Sequence, residues 1–170
     1  MANGSRMASK TAGAGRSAAK ALAGYPGIFH HLAGEHAEVS TRMKRVAGTM
    51  EIQVRQELFP DIRRQLLAHA RGEERVFYPV LRELPELQGL VAQCLDDHAE
   101  LEQYLNRLDV KDKSTKHWGD LFEEMVRAVE AHVAREEQEL FPRARDVLTG
   151  QQAKEMEARY QQLEERDRSP

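Results

Sequence analysis

The chain has 170 residues, 25 Lys plus Arg against 28 Asp plus Glu, and a single cysteine, Cys94. That length suits one domain with a real core. The near-neutral balance gives no basic excess for nucleic acid, and one cysteine excludes an intramolecular disulfide and fits a reducing, cytoplasmic setting. No apolar run approaches the ~18 residues of a membrane span, and no apolar stretch precedes a small-residue cleavage site, so neither a membrane nor secretion is expected.

Residues 1–24 are rich in Ala, Gly, Ser and Lys/Arg, lack acids, and read as a disordered segment, with Met1 to Arg6 resembling an added leader. An organelle transit peptide is the rival reading. Tyr25-Pro26-Gly27 opens the first helix, whose apolar stripe runs Ile28, Leu32, His36, Val39, Met43 and Val46. Gly48-Thr49 breaks it. The second helix is expected from about Arg55–Gln56, because Pro60 is best tolerated near a helix start. Its face carries Ile62, Leu66, His69, Glu73, Val76/Phe77 and Val80. Pro85 fits the first turn of a third helix with Leu87, Val91, Cys94/Leu95, His98, Leu101/Glu102, Leu105 and Leu108 on one face. Residues 109–113 form a polar loop, and Ser114 is the expected N-cap of a fourth helix. That helix aligns Trp118, Phe122, Met125, Val129, His132, Glu136 and Leu140. Pro79 and Pro142 predict a kink or loosening after Tyr78 and after Phe141. A last helix, about 151–166, has a thin apolar edge of Ala153, Met156, Tyr160 and Leu163. It either caps the bundle or pairs with a second copy of the chain.

Four long helices with short links predict an all-α, antiparallel up-down-up-down four-helix bundle over 25–148, followed by a short C-terminal helix and tail over 149–170. His36, His69, His98 and His132 fall about ten, fourteen, twelve and seventeen residues into their helices, all near mid-height at ~1.5 Å per residue. Three of the four His-x-x-x-Glu pairs, His69–Glu73, His98–Glu102 and His132–Glu136, lie on apolar stripes. Residues four apart share a helix face, and a buried carboxylate is costly without a partner. A cation is such a partner. Imidazole with carboxylate suits iron, manganese or zinc. Seven candidate ligands, His36, His69, Glu73, His98, Glu102, His132 and Glu136, exceed one zinc site and suit two metals sharing carboxylates. No His-Glu-x-x-His or Glu-x-x-His motif occurs. Glu74 and Glu137 read as solvated helix charge, Tyr78 and Phe141 as packing residues, and His31 as facing elsewhere.

The doubled pattern His-x-x-x-Glu-Glu-x-x-x-aromatic-Pro, at His69 to Pro79 and His132 to Pro142, with Glu35-His36 and His98 in place, resembles the hemerythrin-like, HHE cation-binding family over about Ile28 to Leu148. The resemblance implies two non-haem iron ions with oxo or hydroxo and carboxylate bridges. It implies the four histidines as terminal ligands, and Glu73 and a helix-four carboxylate as bridges. Glu136 is preferred for the second bridge because it repeats the Glu73 spacing; Glu137 is the alternative. Where oxygen-carrying members have His-x-x-x-His on helix three, this chain has His98-x-x-x-Glu102. An anionic ligand there would favour iron(III) and reaction with dioxygen, hydrogen peroxide or nitric oxide over reversible oxygen carriage. The competing readings are oxygen or iron storage, or sensing, without turnover, and a metal-free structural bundle.

Overall fold

A computed structural model describes residues 26–168, with side chains to 166; the N-terminal segment lies outside the described residues. The helices are α1 (Ile28–Ala47), α2 (Ile52–Gly72), α3 (Tyr78–Leu81), α4 (Gln88–Asp109), α5 (Lys116–Arg135), α6 (Phe141–Val147) and α7 (Gly150–Arg168). One π turn, Glu73–Phe77, joins α2 to α3, and another, Glu136–Leu140, joins α5 to α6. The result is four rods, α1, α2–α3, α4 and α5–α6, each packed on the next with α5 closing on α1, and a fifth helix against the side. The described residues contain no strand. The expected all-α bundle is what forms.

Every residue of the α1 and fourth-rod stripes read from the sequence is buried. The core falls into two clusters. Phe29, Phe77, Tyr78, Leu87, Cys94 and Phe141 belong to one; Val39, Phe59, Leu66, Leu105, Trp118 and Val129 belong to the other. Histidine and glutamate side chains separate the two. At the far end Arg55 is buried and ties the chain links together. Its guanidinium donates to the carbonyls of Thr49, Lys113 and Thr115 and lies over the Trp118 ring, while Trp118 Nε1 donates to the Leu108 carbonyl.

Several boundaries differ from expectation. The second helix starts at Ile52 and takes Pro60 inside it. Pro60 is exposed, so the backbone carbonyl one turn back that loses its donor can turn to water. Pro85 sits in a turn, and the next helix begins at Gln88. Thr115, not Ser114, caps α5, its Oγ1 accepting from Trp118 N at 3.1 Å. The loosening lies before Tyr78 and Phe141 rather than after them. A proline lacks its own N–H and crowds the carbonyl four residues back, so the strain falls on the preceding turn. Widening that turn to a π geometry relieves it. The edge of α7 packs on the bundle: Ala153, Met156 and Tyr160 are buried against this same chain, while Leu163 is half-buried.

Candidate metal centre

The four rods deliver His36, His69, His98 and His132 to one level, with Glu73 and Glu136 between them. Both carboxylates are fully buried. Glu73 Oε2 lies 3.3 Å from His69 Nε2 and 3.3 Å from His98 Nε2. Glu136 Oε2 lies 3.2 Å from His36 Nε2 and 3.4 Å from His132 Nε2. The imidazoles pair, His36 with His69 at 3.1 Å and His98 with His132 at 3.3 Å between Nε2 atoms. Each carboxylate therefore spans the two histidine pairs.

The outer nitrogens are all spoken for. His36 Nδ1 faces Glu137 Oε1 at 3.0 Å, His69 Nδ1 faces Glu35 Oε2 at 2.8 Å, His98 Nδ1 faces Glu74 Oε1 at 2.9 Å, and His132 Nδ1 faces Asp97 Oδ2 at 3.3 Å. An ionised carboxylate only accepts, so each Nδ1 carries a proton, and a ring whose one proton sits there turns an Nε2 lone pair inward. Asp97 is itself paired with Arg135.

These acids follow a rule. Each is the sequence neighbour of a central residue: before it on α1 and α4 (Glu35, Asp97), after it on the second and fourth rods (Glu74, Glu137). Successive helix residues turn by about 100°, so a neighbour of an inward residue points at the adjoining rod. Seen from one end of an antiparallel bundle, one step back on an ascending helix and one step forward on a descending helix rotate the same way. All four acids therefore point around the bundle in one sense, each supporting the next rod's histidine.

The π turns set the remaining contacts. Positions five apart on an α-helix are roughly 140° apart, whereas a π turn closes one residue later and returns the fifth residue near the first. Tyr78 thus comes back over Glu73: its hydroxyl donates to Glu136 Oε1 at 2.7 Å and lies 3.1 Å from Glu73 Oε2. Phe141, five after Glu136, stacks on His36 with centroids 6.1 Å apart. On the opposite side a cavity of about 10 Å³ is bordered by the four histidines and by Val39, Leu66, Leu101 and Val129.

The donor set fits metal binding. Bond lengths of ~2.0–2.2 Å at first-row metals, with angles of 90–109°, put ligand atoms roughly 2.9–3.5 Å apart; the inner contacts here span 3.1–3.4 Å. His36, His69, Glu73 and Glu136 form one cluster of suitable spacing, and Glu73, His98 and His132 a second that shares Glu73. Glu73 Oε1 and Glu136 Oε2 are buried and receive no hydrogen bond of good geometry, although Glu136 Oε2 has imidazole nitrogens nearby. Leaving buried carboxylates uncompensated costs several kcal/mol each, a large share of a typical ~5–15 kcal/mol stability.

Packed this closely, the buried groups shift one another's proton affinities. Burial works to lower His36, but the adjacent Glu136 and Glu137 carboxylates prevail and raise it to about 10. Burial, then the Glu136 carboxylate, lifts Glu73 to about 7. Burial, with the Glu136 and Glu73 carboxylates, holds the Tyr78 phenol well above its usual range, so it stays an O–H donor. Burial keeps Cys94, likewise, a neutral thiol.

Six of the seven candidate residues come together. Glu102 does not: it is exposed and touches none of the cluster. Four residues past His98 on α4, it turns to the water side of the face on which Leu101 and Leu105 are buried. The negative charge expected from Glu102 is therefore missing from the cluster, and the Tyr78 hydroxyl lies 3.5 Å from His98 Nε2. Between the adjacent glutamates, Glu136 points inward and Glu137 supports His36. The sequence reading does not place Tyr78, Glu35, Glu74 or Asp97 at the site, and offers Glu137 only as the alternative bridge. Their signal was an acid beside a ligand on every rod, which becomes legible only with the rod order.

Fold and site together define a helical bundle that gathers imidazole and carboxylate for cations. The Hemerythrin HHE cation binding domain family matches residues 27–144, and the chain belongs to that family. It is similar in fold to the crystal structure of a Hemerythrin HHE cation binding domain-containing protein from Mycobacterium kansasii. The TM-score is 0.72 at 20% identity, over 82% of this chain and 86% of that one. It is also 27% identical over 121 residues to a protein of Nostoc sp. strain PCC 7120 named DNA nickase, covering 71% of this chain but 34% of that one. The chain thus spans about a third of the length of that curated relative.

Proposed function

We propose that the protein holds two non-haem iron ions and uses them to bind or turn over a small oxidant: dioxygen, hydrogen peroxide or nitric oxide. His36 and His69 would hold one ion and His98 and His132 the other, with Glu73 and Glu136 shared between them. The observation that carries the reading is the inner ring itself, four imidazoles with Nδ1 locked outward around two fully buried carboxylates. Mixed nitrogen and oxygen donors suit iron. Bound iron would supply electron transfer and an acidic coordination position.

The chain's own residues limit what can react. The cavity of about 10 Å³ is about the space that one water-sized molecule needs, so a bulky substrate does not fit there. Tyr78 holds a proton on its hydroxyl at the opposite side, 2.7 Å from Glu136 Oε1, where it fixes that carboxylate's orientation.

The second reading is binding without turnover, as an oxygen or iron store or a sensor. It is favoured by the contact of α7 with the residues around His69. Nicking of DNA does not carry over from the Nostoc relative. The shared segment is a minor part of that protein, and 25 basic against 28 acidic residues here provide no cationic surplus for phosphates.

Metal analysis of the purified chain tests the first step: near two irons per chain are expected, and none would leave a structural bundle. Near-ultraviolet absorbance of an oxo-bridged pair, followed on adding peroxide, separates turnover from storage. A spectrum that persists while peroxide is not consumed would favour storage.

A further inference from the structure

The last helix lies beyond residue 144, where the family match ends, yet it reaches the layer of carboxylates around the histidines. Tyr160 is fully buried and its hydroxyl donates to Glu35 Oε2 at 2.8 Å. The same oxygen accepts His69 Nδ1–H at 2.8 Å, and the His69 carbonyl lies 3.3 Å from the hydroxyl. Two glycines make this approach feasible. A Cβ on Gly72 would stand 2.4 Å from Tyr160 Cε2, and one on Gly27 would stand 2.7 Å from the Ala153 carbonyl. Gly27 also has φ +89°, a conformation other residues adopt at a cost. A second link runs alongside: His31 Nε2 is 3.4 Å from Glu164 and 4.0 Å from Glu35.

From this geometry we infer that Tyr160 is a positioning residue for the metal centre, and that α7 is coupled to metal binding through the chain Tyr160–Glu35–His69. The inference rests on the metal-binding reading above. Glu35 has two oxygens and several rotamers, and pairing with Tyr160 removes that freedom on the side facing His69. The imidazole plane is then set before a metal arrives, which is how outer partners strengthen a site. Coupling free energy is reciprocal: if docked α7 favours the metal-ready His69, bound metal must favour docked α7. Asp97 shows the same arrangement within the four rods, held by Arg135 while it supports His132. Glu35 takes its second partner from outside them.

The test uses the full chain, Tyr160→Phe, Glu35→Gln, and Met156→Leu as a control on the same helix face. Anaerobic iron(II) is loaded, its loss to excess chelator is timed, and amide exchange across residues 150–166 is compared with and without iron. Tyr160→Phe keeps the ring against Gly72 and removes only the hydroxyl. It is expected to lose iron roughly tenfold faster or more, and to lose the iron-dependent slowing of exchange in α7. Glu35→Gln should do the same and carries the test if Tyr160→Phe does not fold; Met156→Leu should retain both properties. Iron loss at the wild-type rate in Tyr160→Phe, or α7 exchange indifferent to iron in the wild type, overturns the coupling while leaving the metal centre standing. A wild-type chain that takes up no iron overturns both.

Discussion

His36 Nδ1 donates to Glu137 Oε1 at 3.0 Å, across 101 positions of chain. This contact closes the circle of supporting acids, because it joins the fourth rod back to the first. Glu137→Gln preserves shape and removes the charge that keeps the His36 proton on the outer nitrogen. Iron(II) affinity is expected to fall about 10–100-fold, with helix content unchanged. A competition titration against a chelator measures it, and wild-type affinity would remove Glu137 from any supporting role.

Glu102 and Glu136 occupy the same position relative to a histidine, four residues after it, with opposite surroundings. Glu102→Ala should leave iron content at the wild-type value and stability within about 0.5 kcal/mol, as for other exposed sites. Glu136→Ala should abolish binding at one or both ions. Elemental analysis of the two variants side by side decides the assignment; iron loss in Glu102→Ala would return that residue to the centre.

The iron-free chain should be less stable at about pH 8 than at about pH 6. Glu73 stands at about 7 when folded, raised from 4.5 by burial and then by the Glu136 carboxylate. The folded state keeps a proton that the unfolded chain releases, and stability falls through that window. Burial opposes the rise of His36, but Glu136 and Glu137 lift it from 6.5 to about 10, so its contribution is complete below 6.5 and fades toward 10. Both slopes have one sign. Glu35 acts at lower pH: burial pushes it up, His69 and Tyr160 outweigh that, and at about 2 its contribution is lost only in acid. Metal must displace these protons, so its binding tightens with pH. Urea midpoints of the apo chain at the two pH values give the result; a flat or rising trend would show that the buried groups are not protonated as described.

Gly72→Ala should cost about 1–3 kcal/mol, the range for overpacking, because its Cβ meets the Tyr160 ring at 2.4 Å. Part of the cost should vanish when Tyr160→Leu is combined with it. Denaturant midpoints of the single and double variants measure this, and additive losses would mean that the ring does not press on Gly72.

The sequence by itself determined the rods, the stripes that the first and fourth bury, and which imidazoles sit at mid-height. Helical period and apolar spacing are local properties, readable from Leu32, His36 and Val39 or from His132 and Glu136 without knowing their neighbours. Only the tertiary structure decided that Glu102 faces water, that Glu136 rather than Glu137 points inward, and that α7 packs on its own bundle. It also decided that the acids beside the ligands turn around the axis in one sense. Those outcomes depend on the rotation of each rod about its own axis and on the alternating direction of its neighbours. The π turns ahead of Pro79 and Pro142 shift that rotation by a residue, bringing Tyr78 and Phe141 back onto the site. A regular helical repeat, which is all that spacing can assume, places them on another face.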